Sequence, residues 1–73
     1  MTPTQSFAVA RLERLALLIG QALERKQRRE NTFEATPTQH RALLVMDASV
    51  LTYHLANRHA QMFRYLASQA VTS

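Results

Sequence analysis

A chain of 73 residues is one domain or part of one, and chains this small bury only about 60% of the surface their unfolded state exposes. The absence of cysteine excludes a disulfide scaffold and leaves the redox compartment unread, while 47% hydrophobic residues exclude a disordered tail. The net charge of +4 admits an acidic partner without specifying one. One glycine and two prolines supply little turn chemistry, so the chain should be built from a few long elements and should lean on a partner for stability.

The first element is announced by Thr2-Pro3-Thr4-Gln5. A helix start leaves several backbone N–H groups without partners. A Thr at the N-cap accepts from one of them, a Gln three residues on reaches back to the cap's own N–H, and proline suits the first helical position. The helix is predicted from about Pro3 to Glu30. Ala8, Leu12, Leu15, Ile19 and Leu23 recur at steps of three and four and make one apolar stripe, which Leu18 and Ala22 widen. The cluster Arg25-Lys26-Gln27-Arg28-Arg29 falls in its last turns, where the helix dipole favours positive charge. Asn31 is expected to end the helix in a left-handed conformation.

The connection is placed at residues 31–35, with Phe33 closing the end of the core. The same four letters then return as Thr36-Pro37-Thr38-Gln39, 34 positions after their first use. The segments that follow the two copies differ, so the tetrapeptide is read as one helix-start device used twice rather than as a duplication.

The second helix is predicted from Pro37 to about Gln69. Leu44, Ala48, Leu51, Leu55, Met62 and Leu66 form its main stripe. Met46, Val50, Tyr53 and Ala60 lie well off that stripe, toward the opposite side. A lone hairpin needs one buried stripe per helix, and this helix carries nearly two. A short loop between long helices makes them antiparallel neighbours, of about 40 and 50 Å at the standard rise, with the second overhanging the first. The fold expected is all-α: a single antiparallel two-helix hairpin over residues 1–73, completed by a partner chain or by dimerisation into a helical bundle.

Chemistry is sparse along the chain. His54 and His59 are about 140° apart on a helix and do not converge on a metal, and His40 lies more than three turns earlier. Asp47, His54 and Arg58 share a flank and read as a polar seam; Ser49, the nearest nucleophile, sits on another face. The expectation is no enzyme, no metal and no cofactor. Arg25, Lys26, Arg28 and Arg29 are the candidate phosphate contacts, although Glu24 and Glu30 bracket them, no aromatic residue is interleaved, and the helix-end explanation accounts for the charge. Nucleic acid is therefore a secondary expectation. Leu17, among Glu13, Arg14, Gln21 and Glu24, is a candidate contact residue. Met46, Val50, Tyr53 and Ala60 form the candidate partner-binding set, since a contiguous apolar patch on a small domain usually meets another chain.

The longest apolar run, Leu15 to Ile19, is far short of the roughly 20 residues of a membrane span, and no Lys or Arg precedes Arg11 to form a secretory n-region. A soluble, unprocessed protein is expected.

The two-helix pattern, with Pro37-Thr38-Gln39-His40 opening the second helix, resembles the small helical-hairpin co-chaperones of bacterial type III secretion needle subunits. Many of those open their second helix with a Pro-x-Gln-Tyr-like stretch; His40 here takes the place of the aromatic residue. The resemblance implies a non-enzymatic protein that binds a helical-repeat chaperone and, with it, keeps the needle subunit soluble in the cytoplasm, by burying apolar surface in a helix-in-groove mode. Two other readings are open: a homodimeric four-helix-bundle regulator touching nucleic acid through the arginine cluster, and a small phage or plasmid inhibitor that occupies a host protein's surface.

Overall fold

A computed structural model describes the backbone of residues 2–72 and the side chains of residues 2–69; Met1 and Ser73, included in the span expected for the domain, lie outside the described residues. The chain is an all-α hairpin of two helices, α1 (Pro3–Ala35) and α2 (Gln39–Thr72). They lie side by side within an envelope of 54 × 15 × 13 Å. At about 1.5 Å per residue, 33 and 34 residues span about 50 Å each. The helices are thus nearly equal in length, and the expected overhang of the second is absent.

At the start of α1 the capping chemistry is as read. The Thr2 hydroxyl accepts from the Gln5 N–H at 3.1 Å, and the Gln5 side chain accepts from the Thr2 N–H at 2.9 Å. Pro3 occupies the first turn, where its missing donor costs nothing.

The second copy of the tetrapeptide works differently. Thr36 is not the N-cap of α2 but the C-cap of α1, with φ −145° and ψ 91°. Pro37 accounts for this, because a residue before proline is pushed out of the helical region into an extended one. Thr38 then caps α2, its hydroxyl accepting from the Arg41 N–H at 3.1 Å. With Arg rather than Gln at that third position, no side chain returns to the Thr38 N–H, and the capping box is not repeated.

The turn therefore spans residues 36–38, not 31–35. Asn31 does not end α1; no described residue has a positive φ. Its side chain instead accepts from the Gln27 amide one turn earlier, at 3.0 Å. The Thr32 hydroxyl donates to the Arg28 carbonyl at 2.9 Å, and Lys26 pairs with Glu30 at 3.0 Å. Two of these links reach into the segment that was expected to unwind, and the third lies in the turn just before it.

Between the helices runs a seam with alternating steps of four and three. On α1 it comprises Ala8, Leu12, Leu15, Ile19 and Ala22, then Lys26, Arg29 and Phe33; on α2 it comprises Val45, Ala48, Thr52, Leu55, His59, Met62 and Leu66. That spacing packs two helices in the manner of a left-handed coiled coil. Among the described residues, only Ala8, Leu15, Ala22 and Ala48 are buried. Three are alanines, which let the helices approach but remove little apolar surface from water. Leu23 and Leu51, both assigned to the core stripes from sequence, are 49% and 41% exposed. Their places are taken by Ala22 and Thr52, and the Thr52 hydroxyl is satisfied by the Ala48 carbonyl at 2.8 Å.

Two consequences can be measured by chemical denaturation. Thr38→Ala should cost about 1 kcal/mol, the usual worth of a cap, while Thr36→Ala should stay within about 0.5 kcal/mol; the reverse order would return the cap to Thr36. Gly20 sits in the middle of α1, and a methyl group added there would meet nothing within 4 Å, so Gly20→Ala should add about 1 kcal/mol through helix propensity alone.

Candidate functional site

Two surfaces stand out once the helices are paired. The first is the outer side of α2. Leu43, Met46, Val50, Tyr53 and Ala60 follow one another at steps of three, four, three and seven, a second seam about 160° around the helix from the packed one. Tyr53 is 69% exposed, Met46 59% and Val50 53%. The Tyr53 ring stands edge-on to His54, with centroids 5.9 Å apart. The expected set of Met46, Val50, Tyr53 and Ala60 is therefore gathered on one exposed strip. Leu17 is exposed as well, but α1 turns it away from α2, so it does not join that strip. Leu23 does not join it either: its row on α1 flanks the packed seam, whereas the strip lies on the far side of α2. A hydrogen bond from Arg29 Nη1 to the Leu44 carbonyl, 3.0 Å, links the two helices across the seam.

The second surface is a groove along one side of the hairpin. On α1 its rim follows Thr4, Arg11, Arg25 and Thr32, separated by whole heptads; on α2 it follows Leu44, Leu51, Arg58 and Tyr65, also at seven-residue steps. At the turn end, Arg25, Arg28, Arg29 and Arg41 converge on one depression with Thr32 and Leu44. At the open end, Phe7 and Arg11 of α1 meet Arg58, Gln61, Met62 and Tyr65 of α2. Leu51, His54, Leu55 and Arg58 line the stretch between.

These arginines have different tasks. Arg41 Nη1 donates to the carbonyls of Thr32 and Thr36, at 3.0 and 3.2 Å; the Thr32 carbonyl also accepts from the Thr36 N–H at 3.1 Å, so the guanidinium adds a second donor there and supplies one to Thr36 at the end of α1. Arg29 bridges the helices, as above. Arg11, Arg25, Arg28 and Arg58 have no acidic partner among the described residues; the ion pair found there is Lys26–Glu30. Lys26, grouped with the candidate phosphate contacts from sequence, is thereby parted from Arg25, Arg28 and Arg29, which do share the groove.

The helix-end account of the basic cluster also fails, because α1 continues to Ala35 and its last turn carries no basic residue. The dipole acts within that last turn, so it does not explain Arg25, Arg28 and Arg29.

Ser49 donates to the Val45 carbonyl of its own helix at 3.0 Å. His59 lies in the helix–helix seam and His54 on the groove, and among the described residues no three His, Cys, Asp or Glu side chains come together as metal ligands. Among the same residues, no helix is long and apolar enough to cross a membrane. Comparison with protein-family models, with curated proteins and with solved structures finds no match.

Sequence reasoning missed Phe7, Arg11, Arg41, Arg58 and Tyr65 as members of one surface. The signal was the seven-residue spacing of each rim, which has meaning only once the two helices are known to be antiparallel. Because Arg41 holds the turn and Arg25 makes no bond, Arg41→Ala should lower stability by about 1–2 kcal/mol. Arg25→Ala should stay within about 0.5 kcal/mol in the same urea titration, and equal effects would remove the distinction between structural and free arginines.

Proposed function

We propose that this chain is a non-enzymatic interaction module whose α2 lies between two helical neighbours: α1 on one side and a helix of a partner protein on the other. The observation that carries the reading is the exposed strip of Leu43, Met46, Val50 and Tyr53. A helix of a stable, self-sufficient hairpin would expose polar residues there. The thin seam supports the same view, since a core of three alanines and one leucine leaves the hairpin in need of further buried surface.

The kind of partner follows from the resemblance to needle-subunit co-chaperones. In that reading the strip docks on a cytoplasmic helical-repeat chaperone, and the pair holds a secretion subunit unpolymerised. Self-association through the same strip, giving a four-helix bundle, is the competing outcome.

Light scattering on a sizing column, with circular dichroism on the same fractions, separates the two. The expected result is a monomer that melts gradually and gains cooperativity when co-expressed with its partner. A tight, cooperatively melting dimer would replace the co-chaperone reading with the four-helix bundle. Met46→Asp and Tyr53→Asp should each abolish the complex and leave the helicity of the isolated chain unchanged. Binding that survives both substitutions would move the contact off this strip.

A further inference from the structure

We propose that the arginine-lined groove binds single-stranded nucleic acid, with its phosphates on the arginines and its bases against the apolar and aromatic floor. This surface is separate from the α2 strip, and the inference stands whether or not that strip docks a protein.

Four observations lead to this ligand. First, eight of the nine basic residues of the chain are arginine, and six of them line this one side: Arg11, Arg25, Arg28, Arg29, Arg41 and Arg58. The planar guanidinium fork matches phosphate oxygens in pairs. Second, the charge is uncompensated. Glu13, Glu24, Glu30 and Glu34 line none of the depressions; on α1 they fall on rows turned away from the groove, and only Asp47 of α2 lies on a neighbouring row. Third, the charge is extended. Arg11 and Arg28 are 17 residues apart on α1, or about 25 Å, so a single small anion cannot engage both ends. Fourth, aromatic rings are in place. Phe7 is 68% exposed beside Arg11, and Tyr65 lies beside Arg58.

Positive charge following a backbone, combined with rings on which bases stack, is the arrangement that holds single strands. An acidic polypeptide would answer the charge but has no use for exposed rings placed beside it. A duplex keeps its bases stacked inside and offers them no partner.

The experiment is fluorescence anisotropy with a labelled 20-nucleotide deoxythymidine oligomer, titrated at several salt concentrations against the intact chain. Each phosphate contact to a single strand contributes about −0.7 to the slope of log K against log salt. Four to six contacts should therefore give a slope of about −3 to −4. Replacing Arg25 and Arg28 together by Gln should make that slope shallower by about 1.4. Phe7→Ala and Tyr65→Ala should each weaken binding roughly 5-fold or more while leaving the slope unchanged. Arg64, on the outer side of α2, supplies a matched control: Arg64→Gln removes one charge away from the groove and should have little effect. Circular dichroism on each variant verifies the fold.

Three results would overturn the proposal. One is a slope shallower than about −1. Another is Arg64→Gln weakening binding as much as Arg25→Gln alone, which would reduce the effect to net charge. The last is polyglutamate or a 20-base-pair duplex binding as tightly as the single strand, with Phe7→Ala and Tyr65→Ala both silent.

Discussion

The hairpin depends on one local conflict, between a long helix and the proline that follows it. Pro37 disfavours the helical conformation at Thr36, and α1 stops there, with Thr36 extended. Stopping leaves carbonyls without donors at a point where the chain has only three residues in which to reverse. Arg41 eases this from the far side of the turn, its guanidinium nitrogen reaching the Thr36 carbonyl and adding a second donor to the Thr32 carbonyl, which the Thr36 N–H already serves. Thr38 restarts the helix by accepting from the backbone of that same residue. Turn, cap and clamp thus share Arg41. The antiparallel register, the level at which Arg29 meets Leu44, and hence both side surfaces, follow from where this turn is set.

Much of this was legible in the letters. The two helices, their amphipathic character and the unpaired strip on α2 are all readable from periodicity, and the first cap is readable from Thr2 and Gln5. The second cap was not. Thr36-Pro37-Thr38-Gln39 satisfies the same local rule at two frames, and the choice between Thr36 and Thr38 turns on whether the preceding helix is still running. A helix with Asn31 in it offers no local sign that it will pass that residue; the side-chain links from Gln27 to Asn31 and from Thr32 to Arg28 that help carry it through are individually weak. The same error shifted the meaning of the basic cluster, from a helix terminus to the middle of a groove.

The seam shows a second limit of periodicity. Leu23 and Leu51 fit a stripe of apolar residues as well as Ala22 and Thr52 do, since each is one residue away from its competitor. Hydrophobicity alone prefers the leucines. The packed seam instead follows strict alternation of four and three, which carries small residues to the close approach and turns the leucines to the edges. Leu23 is then left half-exposed beside the seam, and Leu51 lines the groove.

A two-helix hairpin has two edges along which another molecule can lie, and this one has made them chemically opposite. Along one edge the heptad rows carry arginine, with leucine and aromatic residues between; the four glutamates of the chain sit on other rows. Along the outer side of α2 the rows carry Met, Val, Tyr and Leu with no charge until Arg64. Neither pattern serves the seam itself, which would close as well with lysine and glutamate mixed over both. Partition of charge at this level leaves two chemically distinct surfaces along the length of one helix pair. The seam is thin because the two helices contribute their larger apolar side chains to these outer surfaces. In this hairpin, the residues that would have made an independent core are left exposed along these surfaces.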